Sequence, residues 1–172
     1  KFLHAERDFV KSSPDHLYIE RLEARFDTNF QVEINGEMKT INIGGFIDRV
    51  DKVGDRYRVI DYKSGKVSIE DVTIKVERGT TKLNFKTTRH ALQLSFYALM
   101  FEETYGCFPD DILIVSLINS TGKYPFQSKQ NHGIDEIAEA VKDFVKEIYT
   151  EMVDDSINFT HAKNANYCQY CR

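Results

Sequence analysis

The stretch GGFIDRVDKVGDRYRVIDYKSGK, residues 44–66, decides the fold because it has the pattern of two β-strands joined by a tight turn. Gly54 and Asp55 supply the turn, since glycine at the first central position suits a two-residue type II′ hairpin. This turn pairs Val53 with Arg56 and so fixes the register of both strands.

Continued along the strands, this register places two carboxylates, Asp48 and Asp61, directly opposite each other. Their Cβ atoms are then expected to lie roughly 4.5–5.5 Å apart. Lys63 follows two residues after Asp61 and is predicted to project from the same face. On the other face the register pairs Asp51 with Arg58, which we interpret as an ordinary cross-strand salt bridge without a chemical role.

Two opposed carboxylates repel each other unless a cation compensates them. One interpretation is a surface hairpin whose acids are offset by Lys63. A divalent metal fits the pair better, because Mg²⁺ takes one or two carboxylates together with waters and phosphate oxygens. Lys63 could then orient or deprotonate the attacking water, or stabilise the charge that develops on the phosphorane. The hairpin therefore predicts a phosphodiester hydrolase.

The rest of the chain predicts an α/β fold in which a mixed β-sheet is flanked by α-helices. Helical spacing of apolar residues indicates a helix over 88–104 and another along the apolar stripe from Ile134 to Ile148. The remaining predicted elements are a helix over 1–11, strands over 17–26, 30–34, 38–50, 56–63 and 111–118, and an edge strand over 122–127. We expect one domain over residues 1–172.

Composition is that of a soluble globular protein, with 172 residues, 41% hydrophobic and 29% charged. The longest apolar run, 112–118, is too short to span a bilayer, and no signal-peptide pattern opens the chain. A cytoplasmic location without membrane attachment is the expectation. The chain begins without methionine and ends one residue after Cys171, so we expect a fragment of a longer polypeptide.

A net charge of −4 argues against a general cationic surface for nucleic acid. Contact with phosphates would have to be local, and the basic stretch 75–90 could supply it. The alternative is a solvated loop. The cations of this stretch are Lys75, Arg78, Lys82, Lys86 and Arg89.

The motifs of the hairpin, and their order along the chain, resemble those of a known family. GFID followed by VIDYKSGK is similar to motifs II and III of the PD-(D/E)XK nucleases, and within them to the RecB/AddB type. That type also carries Q-x-x-x-Y on the next helix, here QLSFY from Gln93 to Tyr97. These two side chains lie one helical turn apart on one face.

The resemblance implies a restriction-endonuclease-like fold and an Mg²⁺- or Mn²⁺-dependent deoxyribonuclease. Asp48, Asp61 and the backbone carbonyl of Tyr62 would bind the metal, and Lys63 would be the catalytic lysine. Gln93 and Tyr97 would position the active site or contact DNA.

The resemblance also implies an AddB-like subunit of a helicase–nuclease that degrades DNA during double-strand break repair and recombination. Its partners would then be DNA and a helicase or nuclease subunit. Cys168 and Cys171 resemble the start of a C-terminal cysteine cluster that holds a [4Fe–4S] cluster, which the full-length protein would complete. The alternatives are a stand-alone RecB-like exonuclease and a non-catalytic DNA-binding or scaffolding module of the same type of complex.

Overall fold

The structure is a computed structural model that describes residues 2–34, 36–75, 89–118 and 122–158. Its helices are α1 (Phe2–Ser12), α2 (Arg89–Tyr105) and α3 (Ile134–Met152), with a short 3₁₀ turn at Glu70–Val72. Its strands are β1 (Leu17–Ile34), β2 (Glu37–Val53), β3 (Arg56–Lys63), β4 (Thr73–Ile74), β5 (Asp111–Ser116), β6 (Gly122–Pro125) and β7 (Gln127–Ser128).

Five of these strands form one mixed sheet in the order β1-β2-β3-β5-β6. The pairs β1/β2, β2/β3 and β5/β6 are antiparallel, whereas β3 and β5 run parallel through the crossover that contains α2. The strands β4 and β7 form a separate parallel pair. The predicted α/β fold with a mixed sheet between helices is confirmed.

The turn between β2 and β3 has the predicted geometry. Gly54 has φ +60°, the value that a type II′ turn requires at its first central position. Val53 pairs with Arg56, and the predicted register continues as far as the pair of Arg49 with Ile60.

The main core lies between the sheet and α2. Val59 of β3 and Ile114 of β5 pack on this face together with Leu94, Ala98 and Phe101 of α2. Helix α3 covers the outer side of α2 through an apolar stripe that shares a second cluster with it. The stripe consists of Ile137, Ala138, Val141 and Phe144.

The opposite side of the sheet, which we call the reverse face, is covered in part by α1. The ring of Phe9 lies 4.2 Å from the guanidinium carbon of Arg58 and 4.6 Å from Lys123 Nζ, both within cation–π range. Beside it, Ile60 and Leu113 form a small buried cluster.

Two local expectations change. The predicted strands over 17–26 and 30–34 are one continuous strand, β1, because Asp27, Thr28 and Asn29 stay paired with β2. Asp51 and Arg58 are paired as predicted, but both are buried, because α1 covers this part of the reverse face. Among the described helices, none has the length and apolar character needed to cross a membrane.

Candidate active site

The two carboxylates that the sequence singles out lie on β2 and near the carboxyl end of β3, just beyond the last pair of the ladder that joins these strands. The pairing of β2 with β3 ends at Arg49 and Ile60, one step before Asp48. The Asp48 carboxylate instead accepts a hydrogen bond from the backbone N–H of Tyr62, with Oδ2 2.7 Å from the nitrogen. Backbone pairing therefore does not extend to Asp48 and Asp61, although the two are close enough to interact electrostatically.

A change in strand alternation accompanies this end of the ladder. Ile47 and Val50 both belong to the core cluster under α2, although an odd spacing on a regular strand would send them to opposite faces. On the neighbouring strand, Glu23 has φ +44°, an uncommon value for a residue other than glycine. The backbone around Asp48 is thus irregular at the point where the ladder with β3 ends.

The Asp61 carboxylate is held from one side by α2. It is 1% exposed, and its Oδ1 accepts hydrogen bonds from Tyr97 Oη at 3.2 Å and Gln93 Nε2 at 3.3 Å. Its Oδ2 lies 2.7 Å from Lys63 Nζ, an ion pair whose angles do not make a hydrogen bond.

Burial dominates the electrostatics of this carboxylate. It raises the pKa of Asp61 above the ordinary value, and the charge of Asp48 acts in the same direction. Lys63 and the hydroxyl of Tyr97 oppose the shift without cancelling it. Because the ionised form of Asp61 is disfavoured, a cation added between the two carboxylates would be favoured.

Gln93 and Tyr97 connect the site into one network. Gln93 Nε2 donates to Tyr97 Oη at 2.7 Å, and Gln93 Oε1 accepts from Lys63 Nζ at 3.0 Å. Burial and the nearby charge of Asp61 raise the pKa of Tyr97 above its ordinary value, so its hydroxyl keeps the proton that it donates. Gln93 and Tyr97, the two residues of the predicted Q-x-x-x-Y motif, therefore both contact Asp61, and Gln93 also contacts Lys63.

The donor set at this position fits a hard divalent cation. Within the described part of the chain, Asp61 Oδ2 is buried without a hydrogen bond and has the ammonium of Lys63 at 2.7 Å as its counter-charge, so the surroundings of this oxygen already suit a cation. Among the described residues, no group of three or more His, Cys, Asp or Glu side chains could hold a metal ion. Two carboxylates and a main-chain carbonyl suit Mg²⁺ or Mn²⁺ completed by water and phosphate oxygens, rather than an all-protein cage.

A cavity of about 380 Å³ adjoins the network, and Gln93 and Tyr97 line it together with Arg89 and Phe96. Arg89 and Lys75, which lie toward the two ends of the predicted basic stretch, are exposed. The other three cations of that stretch, Arg78, Lys82 and Lys86, lie outside the described residues, as do Cys168 and Cys171.

Two residues near the site, His90 and Arg49, were not predicted. Burial, and next the nearby charge of Lys63, lower the pKa of the His90 imidazole. Its position one helical turn before Gln93 is the signal that could have identified it. On the reverse face, Arg49 donates to the hydroxyl of Tyr62 at 3.0 Å, directly behind the two carboxylates.

Among the comparisons with known proteins, the match to a family model is the one that bears on this arrangement. No curated protein matches the chain. Among solved structures, the chain is similar to one described as "Crystal structure of SSO0001", with 15% identity and a TM-score of 0.34. The match covers 92% of this chain and 59% of that one, so this chain spans less than two thirds of the other's length.

The family model of the PD-(D/E)XK nuclease superfamily matches residues 2–172, and the mixed sheet between helices is consistent with its restriction-endonuclease-like fold. The chain is a member of the PD-(D/E)XK nuclease superfamily.

Proposed function

We propose that this domain hydrolyses DNA phosphodiester bonds with the help of Mg²⁺ or Mn²⁺. The observation that carries the proposal is the state of Asp61. Its carboxylate is buried at the end of β3, with one oxygen held by α2 and the other paired with the ammonium of Lys63. Membership of a nuclease superfamily gives this arrangement its chemical context.

Asp48, Asp61 and the backbone carbonyl of Tyr62 would hold the metal. When bound, the metal neutralises the acid pair, polarises the phosphodiester and makes a bound water more acidic. Gln93 and Tyr97 fix the orientation of Asp61 through Oδ1, which leaves Oδ2 directed toward Lys63.

Lys63 supplies a second positive charge at the site, in addition to that of the metal. Its ammonium reaches both Asp61 Oδ2 and Gln93 Oε1, so two acceptors hold its position before substrate arrives. From there it can orient the attacking water or donate to the phosphorane oxygens, whose charge grows in the transition state.

We further propose that the domain is an exonuclease within an AddB-like helicase–nuclease that processes double-strand breaks. The motif order GFID, DYK and QLSFY supports this assignment. The net charge of −4 is consistent with it, because a larger assembly would hold the duplex. In the same context, Cys168 and Cys171 would contribute to an iron–sulfur cluster of the whole protein.

The proposal is tested by incubating the chain with end-labelled single-stranded and duplex DNA in Mg²⁺ or Mn²⁺, and then in EDTA. Cleavage is expected only with metal, and covalently closed circles should resist an exonuclease. Asp61→Asn should lower the rate by about 100-fold or more. Asp55→Asn, a matched change in the exposed turn, should cleave like the wild type.

Two results would overturn the proposal in different ways. DNA binding without cleavage in either metal would favour the non-catalytic DNA-binding or scaffolding module. Cleavage of covalently closed circles would reject the exonuclease assignment but keep the nuclease.

A further inference from the structure

A cluster of charged side chains lies on the reverse face, directly behind the carboxylates. Arg49 is 11% exposed in its side chain, and the side chain of Asp51 is fully buried. Resting on the proposed metal-dependent activity, we propose that Arg49 and Tyr62 form a clamp that sets the spacing between Asp48 and Asp61. Both are positioning residues, since their side chains lie on the face opposite the site.

The clamp lies where backbone pairing between β2 and β3 ends. Beyond the pair of Arg49 with Ile60, the ladder between β2 and β3 ends. Asp48 lies next to Arg49 at the open end of the ladder, and Asp61 precedes Tyr62 on β3. A link between the side chains of Arg49 and Tyr62 therefore fixes the strands one residue away from each carboxylate.

The contacts that make this link are direct. Arg49 Nη1 donates to Tyr62 Oη at 3.0 Å and thereby joins β2 to β3. Arg49 Nε donates to Asp51 on its own strand, and Nη1 also lies 3.4 Å from Glu6 of α1. A planar guanidinium can serve several acceptors in fixed directions, which a lysine ammonium cannot do.

Stability alone explains this cluster poorly. Desolvation offsets most of the attraction in buried ion pairs, and apolar replacements are often equally stable. The attraction is only partly realised here, because Asp51 Oδ2 and Arg58 Nη1 form an ion pair at 3.7 Å and neither atom has a hydrogen-bond partner among the described residues. A geometric role at the end of the ladder accounts for a charged cluster that contributes little net stability.

On the site face, repulsion between the two carboxylates acts against the clamp. Asp48 and Asp61 place two carboxylates on the site face where β2 and β3 lack paired backbone, and neighbouring carboxylates repel each other, which tends to open the two strands. On this side, β2 and β3 are joined by the hydrogen bond from Tyr62 N to Asp48, and the clamp holds the same segment from behind. Loss of the Tyr62 hydroxyl should therefore widen the site and weaken metal binding.

The test is a calorimetric titration of Mn²⁺ into the full chain and its Tyr62→Phe variant. This change keeps the backbone carbonyl and removes only the hydroxyl. We expect about a tenfold weaker Mn²⁺ affinity, the size typical of removing a group that supports the ligands of a metal. The matched control is Tyr57→Phe on the same strand, whose ring packs on Phe101 and Tyr105, with an expected change below about twofold.

Melting temperatures in EDTA separate positioning from general loosening. The two variants should melt within a few degrees of each other, so that only the Mn²⁺ affinity distinguishes them. Should Tyr62→Phe fail to fold, Arg49→Lys provides the same test, because it keeps the charge and removes the planar fork.

The clamp is overturned if Tyr62→Phe binds Mn²⁺ as tightly as the wild type, or if both phenylalanine variants lose affinity equally. In either case, loss of binding in Asp61→Asn would leave the proposed function standing. If the wild type itself binds no Mn²⁺, the proposed function fails and the clamp fails with it.

Discussion

The carboxylate of Asp48 accepts a hydrogen bond from the backbone N–H of Tyr62, with 2.7 Å between Oδ2 and the nitrogen. A side chain thus replaces a main-chain partner where the ladder between β2 and β3 ends. The contact holds Asp48 beside the segment that carries Asp61 and Lys63, the other two charged groups of the site.

This contact separates a structural role of Asp48 from a metal-binding one. Asp48→Asn keeps an oxygen that can accept from Tyr62 N, whereas Asp48→Ala leaves that donor without a partner. We expect Asp48→Ala to lower the free energy of unfolding by about 1–2 kcal/mol more than Asp48→Asn does. Urea denaturation in EDTA measures the difference, and equal stability of the two variants would refute the structural role.

Asp61 should make the metal-free protein less stable as the pH rises. Burial raises the pKa of Asp61 in the folded state, so the folded protein binds more protons than the unfolded chain does between the unfolded and folded pKa values. The contribution of Asp61 to stability therefore falls as pH rises through that window and is constant above it.

Asp61→Asn should remove this part of the pH dependence and raise the melting temperature at neutral pH in EDTA. Asp55→Asn in the exposed turn should keep the wild-type profile. Melting curves from acid to neutral pH provide the measurement, and an unchanged slope in Asp61→Asn would contradict the cause assigned to the shift.

Lys63→Ala should reduce cleavage by about 10²-fold or more, because it removes the cation placed beside the reacting phosphate. Lys66→Ala, three residues along the chain and exposed, is the matched control and should keep its activity. Single-turnover cleavage at saturating Mn²⁺ compares the two variants. Equal activity would place the chemistry elsewhere.

The hydroxyl of Tyr97 should stabilise the fold as well as orient Asp61. Tyr97→Phe removes hydrogen bonds to Gln93 and to a buried carboxylate, at a cost of about 1.5 kcal/mol in unfolding free energy. Tyr105→Phe is the control on the same helix, because that hydroxyl is buried without hydrogen-bond geometry to any described residue. A larger decrease in Tyr105→Phe, measured by urea denaturation, would contradict the network.

The basic stretch remains a prediction. Charge reversal at Lys82 and Lys86 should flatten the salt dependence of DNA binding, with the slope falling by about 0.9 for each duplex phosphate that the variant no longer neutralises. Binding isotherms over a range of salt concentrations measure the slope. An unchanged slope would identify the segment as a solvated loop.

The sequence predicted the hairpin well because turn chemistry and strand register are local. Gly54 determines the turn, and the turn determines each pair as far as Arg49 with Ile60. The rule does not tell where a ladder ends, and here backbone pairing stops before Asp48, whose side chain accepts the hydrogen bond of Tyr62 N. Buried Ile47 and Val50, three residues apart, reveal the irregularity only after the core is known.

Contacts between distant segments were harder to predict. The pairing of Asp51 with Arg58 followed from the register of the hairpin. The burial of this pair depends on α1, which ends about forty residues before Asp51 in the chain. The bond from Arg49 to Tyr62 was missed although the register places both side chains on the reverse face, because register does not determine which diagonal neighbours form a hydrogen bond. By contrast, the positions of Gln93 and Tyr97 one helical turn apart were readable, and the family resemblance implied a role at the active site, whereas their hydrogen bonds to Asp61 come from the structure.

A calorimetric titration of Mn²⁺ into the wild type, Asp48→Asn and Asp61→Asn tests most directly whether the two carboxylates share a metal. Both variants should bind at least about tenfold more weakly than the wild type. Wild-type affinity in both variants would show that any bound metal lies elsewhere in the chain.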